Sequence, residues 1–342
     1  TFVSSVGPFV TQLEKELADY CGAKRAIAIV NGTSALHTAM NVIGVEYGDE
    51  VITQGLTFVA TANAISYCGA HPIFVDVDLN SMGMSADALL SFLDSNAERK
   101  ENQCFNKKTG KRISACIPMH TYGFATEIDR ICSICKNWNI PVIEDAAEAI
   151  GSTLNKQHLG TFGDIGVLSF NGNKLITAGG GGAIITNNIS YAERAKHIST
   201  TAKTPHKYEF HHDELGYNYR MPNLNAALLC AQLEQINIFL SNKRELAETY
   251  KAYFDSIDVN FRWETQNSKA NFWMMSIEAD SKKDRDDFLA LSNQAGVMTR
   301  PVWQLMHKLP MYKDCFRDEQ TNAQFLEDRI VNIPSSYRPH VK

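Results

Sequence analysis

Ala26-Ile27-Ala28-Ile29-Val30-Asn31-Gly32-Thr33-Ser34-Ala35 carries a short apolar run straight into a glycine, two hydroxyl residues and a helical pattern. The run reads as a buried strand, and Ser34–Val42 as the helix that it feeds. The same alternation continues to about Thr186. Glu50–Thr53, Pro72–Val75, Ala115–Met119 and Pro141–Glu144 read as further strands, with Val59–Tyr67, Ser85–Ser95 and Glu127–Asn139 as helices between them. Strands alternating with helices predict an α/β fold whose mostly parallel sheet is covered on both faces. Gly166–Ser169 and Gly182–Thr186 lie close enough to form a hairpin-like pair. Ahead of the sheet, Pro8–Tyr20 carries Phe9, Leu13, Leu17 and Tyr20 on one side and is closed by Gly22.

After Pro222 the pattern changes. Asn223–Phe239 and Asn242–Phe254 read as long helices. Strands follow near Val259–Arg262 and Phe272–Ile277, then a helix near Asp284–Gln294 and a strand at Val297–Arg300. A chain of 342 residues exceeds the size at which one core keeps growing. The expectation is a large domain over residues 1–240 and a smaller α+β C-terminal domain over 241–342.

A net charge of −5 leaves no basic footprint for nucleic acid. No window approaches eighteen apolar residues, so no membrane span is expected. Eight cysteines are too dilute for a disulfide scaffold and suit a reducing cytoplasm. Cys132 and Cys135 form a C-x-x-C within the helix Glu127–Asn139 and read as two small apolar residues, because no second ligand pair stands at zinc spacing. No metal is expected.

Chemistry concentrates at strand ends. Ser169-Phe170-Asn171-Gly172-Asn173-Lys174 puts a lone lysine after one strand, about thirty residues beyond Glu144-Asp145 at the end of another. A lysine among apolar strands is desolvated, which lowers its pKa and favours the nucleophilic free amine. A Schiff-base lysine with a carboxylate partner for a ring nitrogen is what pyridoxal phosphate (PLP) requires of a protein. Ala147 is small enough to lie beneath a ring, and Glu148 adds a second acid. Asp145 is equally compatible with a cap or a metal ligand. The helix start at Gly32, Thr33 and Ser34 is a potential phosphate site, although alone it reads first as an N-cap. Phe58 could stack on a cofactor, and Ser169 could donate to the same phosphate. The glycines Gly179 to Gly182 continue into a strand, so they are no dinucleotide fingerprint. Asn218 and Arg220 precede a Pro-initiated helix, while Arg300, Trp303 and His307 compose a loop suited to a substrate.

Taken in order, Asn31-Gly32-Thr33-Ser34-Ala35, Glu144-Asp145-Ala146-Ala147, Ser169-Phe170…Lys174 and Gly216-Tyr217-Asn218-Tyr219-Arg220 resemble the PLP-dependent sugar aminotransferases of the DegT/DnrJ/EryC1/StrS family. Phe2-Val3-Ser4-Ser5-Val6-Gly7, Met298-Thr299-Arg300-Pro301 and Val331-Asn332-Ile333-Pro334-Ser335-Ser336 resemble its branch making precursors of legionaminic acid or bacillosamine. The resemblance implies a PLP-dependent transferase of fold type I, a homodimer with shared active sites. It also implies amino transfer from glutamate to C4 of a UDP- or GDP-linked 4-keto-6-deoxy-N-acetylhexosamine, for bacterial surface glycans such as lipopolysaccharide or for nonulosonic acids. Lys174 is then the Schiff-base lysine and Asp145 the pyridine partner. Gly32, Thr33, Ser34 and Ser169 hold the phosphate, with Asn218 donated by the other subunit, and Phe58, Ala147 and Glu148 border the ring. Glu148 departs from relatives that have glutamine there. Lys203, Arg220, Arg300 and His307 are the candidate substrate cations. Residues beyond Thr1 and Lys342 are also implied. The alternatives are a PLP- or pyridoxamine-binding sugar dehydratase relative, whose relatives replace the lysine with histidine, and a non-catalytic PLP-binding regulatory protein.

Overall fold

Seven strands build the large sheet: β1 Arg25–Ile29, β2 Glu50–Gln54, β3 His71–Val75, β4 Arg112–Ile117, β5 Ile143–Asp145, β6 Ile165–Ser169 and β7 Gly182–Thr186. The computed structural model describes Ser4 and residues 7–339; most of the Phe2–Gly7 motif lies outside these. Spatial order is β1-β7-β6-β5-β4-β2-β3, with β5 and β4 joined by parallel bridges at Cys116–Val142 and Met119–Asp145. Only β7 runs antiparallel to its neighbours, with Ser169 opposite Gly182 in its pairing to β6. The sheet is therefore mixed but mostly parallel, and the expected hairpin-like pair around Lys174 is present.

Alternation of side chains puts both faces under cover. Ala26 and Ala28 of β1 pack into one core cluster while Ile27 and Ile29 pack into another. The flanking helices are α1 Pro8–Cys21, α2 Gly32–Ile43, α3 Val59–Tyr67, α4 Ala86–Asn96, α5 Ile128–Asn137, α6 Ile189–Ser199 and α7 Asn223–Leu233. Gly22 closes α1 in the left-handed conformation, as its position in the sequence suggested. Among the described residues no helix is long and apolar enough to cross a membrane.

Four differences from the sequence reading stand out. Ala97–Lys100 and Gln103–Asn106 form a hairpin on the edge of β4; its strands carry Glu98, Arg99 and Lys100 and so lack an apolar signature. The break between the long helices falls at 234–235, not near 240, and α8 Ile236–Ser256 runs unbroken through that position; neither glycine nor proline marks the true break. The strand expected from Phe272 starts only at Met275, because Phe272 has φ 50, incompatible with extended backbone. Arg300–Pro301 replaces the strand expected over Val297–Arg300, and it pairs with Ile330–Ile333, an apolar run not read as a strand.

Ile330–Ile333 lies between Met275–Glu278 and Arg300–Pro301 in the small sheet. Its core is shared with the large lobe: Leu56, Tyr122 and Phe124 pack with Leu246, Met275, Ile277 and Leu326. The small lobe therefore sits over the carboxyl ends of β2 and β4.

Candidate active site

Open parallel sheets gather ligands outside the carboxyl ends of their strands, and the sequence-predicted residues converge there. A cavity of about 270 Å³ is lined by Gly32, Thr33, Phe58, Asp145, Ala147, Glu148, Ser169 and Lys174, together with Asn31, Met119, Asn171, Asn173, Trp273 and Trp303. Parallel pairing of β5 with β6 sets Asp145 opposite Val167, one side-chain repeat before Ser169. The chain then turns through Asn171 and returns as β7, so Lys174 is carried on a loop closed at both ends by strands.

The Asn31 side chain caps α2, accepting from the Ser34 N–H at 2.8 Å. The N–H groups of Gly32 and Thr33 belong to the first helical turn and have no helical acceptor, which makes this end an anion site. A Cβ on Gly32 would stand 3.0 Å from that of Ser169. Glycine here lets the Ser169 side chain approach the helix end.

Asp145 is 2% exposed. Its carboxylate accepts from the Thr61 hydroxyl at 2.7 Å and from the Ala147 N–H at 3.2 Å. Burial pushes its pKa up, against the hydrogen bonds from Thr61 and Ala147 and the charges of Lys174 and His120. Its neighbour Glu144 points to the opposite side and is saturated. It pairs with His120 at 2.9 Å and accepts from the N–H groups of Gly160, Phe162 and Gly163 at 2.7–2.8 Å.

Lys174 Nζ lies 3.2 Å from Glu148 Oε1 and 4.1 Å from the centre of the Trp273 ring. The second Glu148 oxygen accepts from the Tyr122 N–H at 2.9 Å. Tyr122 reaches that position with φ 58, a left-handed backbone that a bulky residue rarely adopts. Its hydroxyl accepts from the Asn332 amide at 2.8 Å. Strain at this turn is thus held from both lobes.

Burial lifts the Glu148 carboxyl from 4.5 to about 7, opposed by the Lys174 charge and the Tyr122 N–H and reinforced by Asp145. Between those values the folded protein binds more protons than the unfolded chain, so stability falls as pH rises through the window. Glu148→Gln is expected to abolish that fall and to leave the protein more stable above pH 7, by roughly 3 kcal/mol at most. Urea unfolding of both proteins from pH 5 to 8 checks this; an unchanged slope would contradict it.

Several predicted residues do not join the cavity. Ser34 sits beside it in the capped turn. Asn218 is exposed, bridged to Thr200. Lys203 lies over the Phe210 ring, Arg300 binds Asn293 and the Thr299 carbonyl, and the His307 ring is lowered in pKa by burial and by Arg317 and Lys308. None of these four substrate candidates, Arg220 included, lines it. Conversely, Thr61, Tyr122 and Trp273 act at the site without a sequence signal, because folding brings them there from other elements.

A buried carboxylate with half its acceptor capacity used, a nearby amine and a helix start prepared for phosphate fit PLP, whose ring nitrogen, aldehyde and phosphate need those three groups. Among the described residues Asp145 has no ion-pair partner. This is the site of a PLP-dependent aminotransferase of fold type I. Residues 1–340 match the model of the DegT/DnrJ/EryC1/StrS aminotransferase family, and the chain belongs to that family. GDP-perosamine synthase of Escherichia coli O157:H7 is 36% identical over 335 residues, 98% of this chain and 87% of that protein. UDP-2-acetamido-2-deoxy-3-oxo-D-glucuronate aminotransferase of Pseudomonas aeruginosa is 30% identical over 311 residues, 90% and 80% of the two chains. The crystal structure of a family aminotransferase from Brucella abortus superposes with a TM-score of 0.88 at 26% identity, covering 99% of this chain and 87% of that one.

Proposed function

We propose that this enzyme transfers an amino group from glutamate to C4 of a nucleotide-linked 4-keto-6-deoxy-N-acetylhexosamine. The observation that carries the chemistry is the convergence of Lys174, Glu148 and Asp145 in one cavity beside the start of α2. PLP, when bound, supplies an aldehyde for amine condensation and a ring that withdraws electrons from the carbon losing its proton. Lys174 is the residue that attaches it. The Nζ amine, when free, would serve as the base that moves the proton. Asp145 would hold the ring nitrogen in its protonated form, and Thr61 and the Ala147 N–H fix the orientation of its carboxylate. Gly32, Thr33, Ser34 and Ser169 hold the phosphate, while Phe58 and Ala147 border the ring. Glu148, beside Lys174 Nζ, would contact the phenolic oxygen or the substrate.

Nucleotide-sugar specificity is supported by the relatives, whose names carry GDP- and UDP-linked sugars. The legionaminic acid or bacillosamine branch rests on the sequence motifs alone. Lys203, Arg220, Arg300 and His307 lie outside the cavity lining of a single chain; their proposed role at the diphosphate, like that of Asn218, is assigned to a homodimer with shared sites. Tyr208, Phe210, Leu215 and Leu224, each at least two-thirds exposed, offer the apolar surface for such pairing. We assign the enzyme to the cytoplasm, a reading that the eight free cysteines support.

The test combines two measurements. Borohydride reduction of the PLP-loaded protein and peptide mapping should recover the label on Lys174. Incubation with glutamate and either UDP- or GDP-linked 4-keto sugar should then yield one aminated product by mass. Absence of an amino sugar from both nucleotides would overturn the substrate assignment, and a label elsewhere would overturn the lysine.

A further inference from the structure

Lys243 on α8 is a buried cation that forms no ion pair among the described residues. It is 7% exposed, and its Nζ donates to the carbonyls of Trp273, at 3.0 Å, and of Ser335. Burial alone pulls its ammonium down to about 8. Placing a lysine in such surroundings costs stability that two carbonyl hydrogen bonds only partly restore. What the arrangement provides is geometry.

The Trp273 carbonyl belongs to a segment that lines the cavity, and the Ser335 carbonyl to one that is hydrogen-bonded to that segment at Met275. Trp273 follows Phe272, whose φ of 50 is unfavourable for a bulky residue, so this turn needs holding from outside. Ser335 follows the strand Ile330–Ile333, and its hydroxyl accepts from the Met275 N–H at 2.8 Å. From this anchored backbone the Trp273 indole extends to the reactive loop. Its Nε1–H donates to the Asn173 carbonyl at 2.7 Å, and its ring face lies 4.1 Å from Lys174 Nζ. On the same turn the Trp273 N–H donates to Asn271 Oδ1, while the Asn271 amide donates to the Glu148 carbonyl at 2.7 Å.

We infer that Lys243 is a positioning residue for Lys174, acting through Trp273: the ammonium fixes the backbone of the tryptophan, and the tryptophan fixes the lysine and its preceding peptide. The inference rests on the proposed role of Lys174 as the residue that attaches PLP. A lysine suits the task because its apolar stem crosses the core from α8 while its head offers donors that converge on two acceptors.

Lys243→Met retains the stem and removes the donors. Trp273→Phe retains an aromatic face and removes the Nε1–H. With apoprotein and added PLP, absorbance follows the rate at which Lys174 condenses with the aldehyde, and borohydride mapping verifies the attachment point in every variant. Each single substitution should slow condensation about tenfold, and the double variant should be no slower than the slower single, because both act along one path. Circular dichroism confirms folding; if Lys243→Met does not fold, Lys243→Leu, which likewise lacks donors, is read the same way. A wild-type rate in the Lys243 variant, or a double-variant loss equal to the product of the singles, would overturn the inference. A label away from position 174 in the unsubstituted protein would instead refute the attachment reading. In that event apoprotein fluorescence still decides the Lys243–Trp273 tie, with Trp273→Phe as the background that isolates this ring among the four tryptophans: a spectral change on Lys243→Met that disappears in the Trp273→Phe background upholds it, and no change, or one that persists there, rejects it.

Discussion

Lys174→Ala is expected to fold, to bind PLP without covalent attachment and to turn over about 10⁴-fold more slowly, the upper end for losing a positioned proton-transfer group. Two proposed roles vanish together, attachment and proton transfer at Nζ, and among the described residues the cavity lining holds no second amine to take them over. Lys203 is engaged with the Phe210 ring, and Lys243 is turned to the carbonyls of Trp273 and Ser335. Losing the ammonium also removes the charge that holds the Glu148 carboxyl down, so that acid binds a proton more readily. Protonation limits the stability loss that an unpaired buried carboxylate would otherwise bring. Single-turnover kinetics with glutamate measure the drop, and added methylamine should restore part of it. Turnover above a tenth of wild type would remove Lys174 from the reaction.

Asp145→Asn should divide activity and stability in opposite directions. In its proposed role the carboxylate is the preorganised negative charge for the ring nitrogen, and deleting such a charge costs about 10²–10³-fold in turnover. In the apoprotein the sign reverses. Burial raises the pKa of Asp145 above its ordinary value, so the ionised group destabilises the fold once pH exceeds the unfolded value of 3.8. An amide of the same shape removes that penalty. It also finds partners: its NH₂ donates to the Thr61 hydroxyl, which then donates to Thr57, 2.8 Å away. At pH 7–8 the apoprotein is therefore expected to gain stability. Thermal unfolding without cofactor, beside steady-state rates with it, checks both signs; a variant that is both destabilised and fully active contradicts the assignment.

Residues whose role depends on their own segment were legible in the sequence. Apolar runs bounded by helix starts marked all of the buried parallel strands, because a strand covered on both faces has no room for polar alternation. The helix start at Gly32, Asp145 at the end of β5 and the lysine after β6 are each a strand end or a few residues beyond one, and all three reached the cavity. The charged edge hairpin at Ala97–Asn106 had no such signature. Phe272 is apolar and strand-like in composition, yet its left-handed backbone belongs to the turn that presents Trp273. Thr61, Tyr122 and Trp273 join the site through tertiary packing, which no local pattern encodes. Lys203, Arg220, Arg300 and His307 were grouped by residue type, and composition carries no information about distance between separate loops.

Glu144 and Asp145 are adjacent acids on one strand with opposite fates. The first spends its four lone-pair positions on a histidine and three peptide groups, and is thereby mortar between β5 and the 160–163 loop. The second has only two of its four positions met from within the chain. Valence arithmetic alone thus separates framework from reagent one peptide bond apart, where charge, burial and residue class give the two nearly the same description.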